Sequence, residues 1–213
     1  MTFNNTLIFG DSYSTFAGYI PEGYAYYYPL TAEGRPKLIN VSETWWKALM
    51  NETDSNLIRN DSWSGSTIGY TGYNNADTSK TNCFIHRLRT LEAEGFFKEN
   101  TIDTVFIFGA TNDNWADAPI GNTKYSDIKE KDLYSVLPAV CYFIENLKRN
   151  LPTARIVFII NSELKYEVVT GIKRACKHYG IESILLSKID KKSGHPTKKG
   201  MAQIKKQILK KLS

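Results

Sequence analysis

The chain has 213 residues, enough for one sizeable α/β domain and too few for two such domains, so a single domain over residues 1–213 is expected. With 42% hydrophobic, 13% aromatic and 23% charged residues, the composition argues for a packed core and against disorder. The formal charge of +5 does not predict nucleic-acid binding, because the basic residues gather between Lys188 and Lys211 on a predicted terminal helix and none of the usual binding modules is present.

Phe3–Phe9 is the first run rich in β-branched and aromatic residues, and Asn56–Asn60, Thr104–Phe108, Arg155–Ile160 and Ile181–Leu186 repeat the pattern, which predicts five strands. Amphipathic stretches alternate with them. The first carries Trp45, Trp46, Leu49 and Met50 after a candidate cap at Ser42, and the second carries Phe84, Leu88 and Leu91. The third runs from Leu133 through Val136, Leu137 and Val140 to Leu147, with Pro138 expected to bend or break it. The fourth holds Val168, Ile172, Ala175 and Tyr179 and is closed by Gly180, and the last holds Met201, Ile204, Ile208 and Leu212. Strands alternating with helices imply a parallel sheet with helices on both faces.

Three segments interrupt the alternation: Tyr13–Val41, Asp61–Lys80 and Asn114–Lys129. Each follows a strand, where the loops of a parallel sheet form the ligand crevice. Cys83, Cys141 and Cys176 fall in helical stretches without metal-type spacing and read as small core or helix residues. His86, His178 and His195 are far apart in sequence, so neither a metal nor any other cofactor is expected. No basic-then-apolar leader and no apolar run of about 18 residues is visible. A cytoplasmic location is therefore expected, or a secreted or periplasmic one if a leader has been removed.

Four short blocks carry chemistry. The first strand leads into Gly10-Asp11-Ser12, which sets a hydroxyl at the carboxyl edge of the sheet, while Asp11 reads as a cap of the turn. Gly194-His195-Pro196 opens the last helix at the same edge, and a neighbouring imidazole is the usual means of activating a serine. Asn112, in Gly109-Ala110-Thr111-Asn112-Asp113, can aim an amide N–H at an oxyanion, and Gly65, in Asn60-Asp61-Ser62-Trp63-Ser64-Gly65-Ser66, can offer an unhindered main-chain N–H. Taken singly, each block also reads as an ordinary turn.

In this order, each after a strand, the blocks resemble those of the SGNH (GDSL) hydrolase superfamily over nearly the whole chain. The resemblance implies a three-layer α/β/α fold with a five-stranded parallel sheet in flavodoxin-like order 2-1-3-4-5. It implies Ser12 as nucleophile, His195 as base, and an oxyanion hole of the Ser12 and Gly65 main-chain N–H groups and the Asn112 side chain. One departure stands out: the family's aspartate lies three residues before its histidine, and Lys192 occupies that position here. Asp190 is the first candidate to orient His195, ahead of Glu163 and a main-chain carbonyl.

The activity implied is hydrolysis of a carboxylic ester through an acyl-serine. Tyr19, Tyr24, Tyr26, Tyr27, Tyr28, Trp63 and Trp115 either line a mouth suited to sugar rings or pin the long loops to the sheet. A carbohydrate O-acetyl ester is the first expectation for the substrate. A lipid or lysophospholipid esterase and a catalytically silent sugar-binding module are the alternatives. A phosphate-binding flavodoxin-like protein fits less well, because Asp11 would repel the anion.

Overall fold

A computed structural model describes residues 1–29 and 33–213; residues 30–32 of the first long loop lie outside the described residues. Five parallel strands form the sheet: β1 (Asn5–Gly10), β2 (Asn56–Ser62), β3 (Thr104–Gly109), β4 (Arg155–Ile160) and β5 (Glu182–Leu185), in the order β2-β1-β3-β4-β5. Their side chains alternate between two cores, as a sheet covered on both faces requires. Leu7, Phe9, Val105, Ile107 and Phe158 face one core, with α2 (Phe84–Ala93), α5 (Val136–Asn150) and α6 (Tyr166–Tyr179). Ile8, Phe106, Phe108, Val157 and Ile159 face the other, with α1 (Trp45–Thr53) and α7 (Lys198–Leu212). Two one-turn helices, α3 (Phe96–Glu99) and α4 (Thr111–Trp115), flank β3.

Two local expectations need correction. The cap of α1 is Thr44, whose side chain accepts from the Lys47 N–H, while Ser42 belongs to a preceding 3₁₀ turn capped by Asn40. Pro138 neither bends nor breaks α5, because the helix starts at Val136 and the proline is its third residue. There its missing N–H would have had no helical partner anyway.

The sheet order changes direction at β1, which pairs with β2 on one side and β3 on the other, and the crevice of such a fold lies beyond the carboxyl ends there. Gly10, the last residue of β1, has to be glycine: a Cβ would lie 2.4 Å from Ser62 Oγ. A small antiparallel hairpin, β6 (Lys191–Lys192) and β7 (His195–Pro196), leads into α7. Its two turn residues, Ser193 and Gly194, have φ of 48° and 76°, the paired left-handed conformation of a tight two-residue hairpin.

Candidate active site

Ser12 and His195 meet at the carboxyl edge of the sheet. Ser12 Oγ lies 2.9 Å from His195 Nε2, across 183 residues of chain, and the two residues are 2% and 8% exposed. The other ring nitrogen, Nδ1, lies 3.1 Å from the Ser193 carbonyl oxygen. A carbonyl can only accept, so Nδ1 carries the proton and Nε2 presents its lone pair to the serine hydroxyl.

The expectation that Asp190 orients His195 is corrected by this geometry. Lys192 pairs with His195 across the hairpin, and one step past the Lys191–Pro196 pair the Asp190 carbonyl accepts from the Thr197 N–H at 3.0 Å. The Asp190 carboxylate accepts the Thr197 hydroxyl, and the Asp190 N–H donates to Gln203 Oε1, so the residue fastens the hairpin to α7. Glu163 is paired with Lys191 Nζ at 2.9 Å. Of the three sequence candidates, the main-chain carbonyl occupies the position at Nδ1.

Aromatic rings enclose the imidazole. Tyr27 stacks on it with a centroid separation of 3.6 Å and an interplanar angle of 6°, and Tyr13 and Trp115 approach at 5.4 and 5.6 Å. The Tyr13 hydroxyl donates to the Gly194 carbonyl and the Tyr28 hydroxyl to the Pro196 carbonyl, holding the chain on both sides of His195. Asn161 Nδ2 donates to the Tyr13 hydroxyl at 3.3 Å, and Lys191 Nζ donates to Asn161 Oδ1 at 2.9 Å. Burial pushes the His195 pKa down to about 4, with the charges of Arg35 and Lys191 adding to the shift against the Ser193 hydrogen bond.

The opposite flank of Ser12 is built from polar groups. Asn112 Nδ2 donates to the Ser66 carbonyl at 2.9 Å, and Asn112 Oδ1 accepts from the Tyr73 hydroxyl at 2.7 Å. Asp113 accepts from the Ile68 N–H at 2.9 Å and the Gly69 N–H at 3.2 Å, tying the start of α4 to the loop after β2. Among the described residues, the main-chain N–H groups of Ser12 and Gly65 have no main-chain or side-chain acceptor. Asp11 accepts from the Tyr13 N–H at 2.9 Å, the turn-capping geometry expected of it, while its other oxygen is buried without a partner. Burial raises the Asp11 pKa to about 7, and the nearby Asp113 adds to the shift.

Arg87, 1% exposed, joins these pieces. Its guanidinium is 3.0 Å from Asp61 Oδ2, donates to the Gly10 carbonyl and Ser66 Oγ at 3.2 Å each, and lies 4.5 Å from the Phe84 ring centroid. One cation thus ties the end of β1 and the loop carrying Gly65 to α2. The sequence carried a signal for it, since Arg87 stands three residues after Phe84 and four before Leu91, on the stripe that faces the core. Tyr73 and the hairpin carry no comparable pattern.

The aromatic loop residues divide into two groups. Tyr27 and Tyr28 are buried against the His195 hairpin, and Tyr24 and Trp63 lie against each other, tilted by 37° with centroids 4.2 Å apart. Tyr19, Tyr26 and Trp115 are exposed. Among the described residues, no three His, Cys, Asp or Glu side chains are grouped to hold a metal ion, and no helix is long and apolar enough to cross a membrane.

A five-stranded 2-1-3-4-5 sheet of this kind, with seven α-helices among the described residues, is the SGNH hydrolase fold. The sequence pattern of the GDSL-like lipase/acylhydrolase family matches residues 4–212, and the chain belongs to that family. It is similar to a crystal structure described as a GDSL-like lipase from Bacteroides uniformis ATCC 8492, with 42% identity and a TM-score of 0.90 over 98% of this chain and 95% of that one. A second, from Bacteroides ovatus ATCC 8483, is 39% identical with a TM-score of 0.89, over 100% of this chain and 99% of that one. An acetyl xylan esterase from Butyrivibrio proteoclasticus shares the fold at 15% identity and a TM-score of 0.60, over 100% of this chain and 64% of that one. No curated protein matches the chain.

Proposed function

We propose that the chain is a serine esterase that cleaves a carboxylic ester through an acyl-serine intermediate. The observation that carries the reading is the 2.9 Å approach of Ser12 Oγ to a His195 nitrogen left unprotonated by the Ser193 carbonyl on the other side of the ring. In this reading Ser12 Oγ attacks the ester carbonyl as its proton passes to Nε2. The carbonyl oxygen becomes an anion facing the N–H groups of Ser12 and Gly65 and the second amide N–H of Asn112. His195 then returns the proton to the departing alcohol. Water, deprotonated by the same nitrogen, releases the acid and restores Ser12.

Proton transfer creates an imidazolium, and no carboxylate stands at Nδ1 to stabilise it. The Ser193 carbonyl dipole and the face of the Tyr27 ring supply part of that stabilisation, a ring face being worth about 0.5–2 kcal/mol to a cation. Arg35 and Lys191 act against it. His195 is consequently a weak base that stays neutral, and so competent, far into the acid range.

For the substrate, a carbohydrate O-acetyl ester is the best fit. Trp115 is 38% exposed beside His195 and Tyr73 is 42% exposed beside Asn112, so both flanks present a ring to solvent. Aromatic faces next to polar groups suit sugar rings. The fold is shared with an acetyl xylan esterase, a likeness of fold alone.

The missing carboxylate favours one second reading, a silent module that binds sugars without cleaving them. Labelling with a fluorophosphonate separates the two. The native chain should label and the Ser12→Ala variant should not, and the native chain should cleave short-chain aryl acetates faster than long-chain esters. A native chain that neither labels nor hydrolyses, yet binds oligosaccharide, would establish the silent module.

A further inference from the structure

Asn112 is held by two contacts that use its amide in different ways. One N–H of Nδ2 goes to the Ser66 carbonyl at 2.9 Å, and Oδ1 receives the Tyr73 hydroxyl at 2.7 Å. A primary amide has two N–H bonds, so one remains. The Ser66 carbonyl prevents the amide from turning over, because the flipped group would set oxygen against oxygen. The Tyr73 hydroxyl does something else: a hydrogen bond donated to an amide oxygen draws electron density from the nitrogen and makes the remaining N–H a stronger donor.

Tyr73 is itself fixed in place. It begins a 3₁₀ turn, Tyr73–Asn75, in which Asn74 and Asn75 have φ of 56° and 57°, and the Gly72 N–H closes the turn on the Ala76 carbonyl at 2.8 Å. Thr71 Oγ1 donates to the Tyr134 carbonyl at 2.8 Å, and the Tyr134 hydroxyl returns to Asp77 Oδ2 at 3.0 Å, clamping both ends of the segment. Partial burial, with the charges of Asp11 and Asp113, pushes the Tyr73 pKa up to about 12, so the phenol keeps its proton at any working pH.

We propose that Tyr73 is a positioning residue of the oxyanion hole, orienting and polarising Asn112 so that its free N–H meets the developing negative charge. This rests on the reading of Asn112 as an oxyanion donor. It assigns a role to the loop between β2 and α2 beyond Gly65.

A double-mutant cycle tests it. Tyr73→Phe should lower kcat by about 2- to 13-fold with KM within twofold, the rate equivalent of one net hydrogen bond of about 0.5–1.5 kcal/mol. In an Asn112→Ala background the same substitution should change kcat by less than about 1.5-fold, because the group it acts through is gone. Thermal unfolding of Tyr73→Phe should shift by less than about 5 °C, the loss of one partly exposed hydrogen bond. Equal losses in the two backgrounds would mean that Tyr73 acts directly on substrate, and no loss in either would mean that it is idle; both outcomes overturn the proposal. An Asn112→Ala variant of native activity would instead refute the oxyanion reading beneath it.

Discussion

The two flanks of Ser12 are built on different chemistry. On the side of Gly65 and Asn112, position is fixed by directional polar contacts: Arg87 to Asp61, Gly10 and Ser66, Asp113 to two main-chain N–H groups, and Tyr73 to Asn112. On the side of His195, position is fixed by stacked rings and two tyrosine hydroxyls on main-chain carbonyls, with no carboxylate at the ring. Donors aimed at an oxyanion have to be held to fractions of an ångström, which hydrogen-bonded networks do well. In the role proposed for His195, the ring has only to stay neutral and face the serine, which the aromatic cradle provides for. The difference teaches how, in the proposed mechanism, the orientation usually given by a carboxylate is divided between one carbonyl dipole and packing, at the expense of basicity.

The contrast can be broken most severely at Arg87. Arg87→Met should destabilise the fold by about 3–5 kcal/mol, because Asp61 keeps only its pair with Arg59 while the buried Gly10 carbonyl and Ser66 hydroxyl lose their donor; a urea midpoint close to that of the native chain would contradict the role described. On the same flank, Asn112→Ala should reduce kcat about 100- to 1000-fold against a good ester. A loss below about threefold would remove Asn112 from the oxyanion hole.

The aromatic flank is best probed by pH. With the His195 pKa lowered to about 4, kcat/KM should hold steady from neutrality down to about pH 5 and fall as the ring gains a proton near pH 4. An acid limb near pH 6.5 would show an ordinary, solvated histidine. The stability consequence has the same sign. The unfolded ring binds its proton near pH 6.5 and the folded one only near 4, so this residue's contribution is present above 6.5 and lost as pH falls from there towards 4. The smallest effect is expected at Asp190. Asp190→Asn should leave kcat within about threefold, because its carboxylate serves Thr197 and not His195, whereas loss of a triad aspartate typically costs about 10⁴-fold.

What the sequence revealed follows from what each element is made of. β3 and β4 are buried and apolar on both faces and so show as unbroken runs, and three of the four chemical blocks follow the carboxyl ends of β1, β2 and β3, a placement that topology alone implies. The hairpin that carries His195 has no such mark. Its strands are Lys191–Lys192 and His195–Pro196, too short and too polar for alternation to show, and only the left-handed turn at Ser193 and Gly194 makes it. Counting residues back from His195 therefore points to Asp190, whereas the chain folds so that the carbonyl two residues away meets the ring. The Tyr27 stack was equally hidden, since a run of three tyrosines at 26–28 does not say which ring turns inward; the structure buries Tyr27 and Tyr28 and exposes Tyr26.

The hydrogen bond between Ser12 and His195 also has a bearing on biosynthesis. Every strand of the main sheet precedes residue 186, and the imidazole arrives afterwards, on the hairpin that delivers the last helix. A chain whose hairpin has not yet docked lacks the imidazole partner of Ser12. On the roles proposed for these two residues, esterase turnover would report whether residues 191–212 have docked on the sheet.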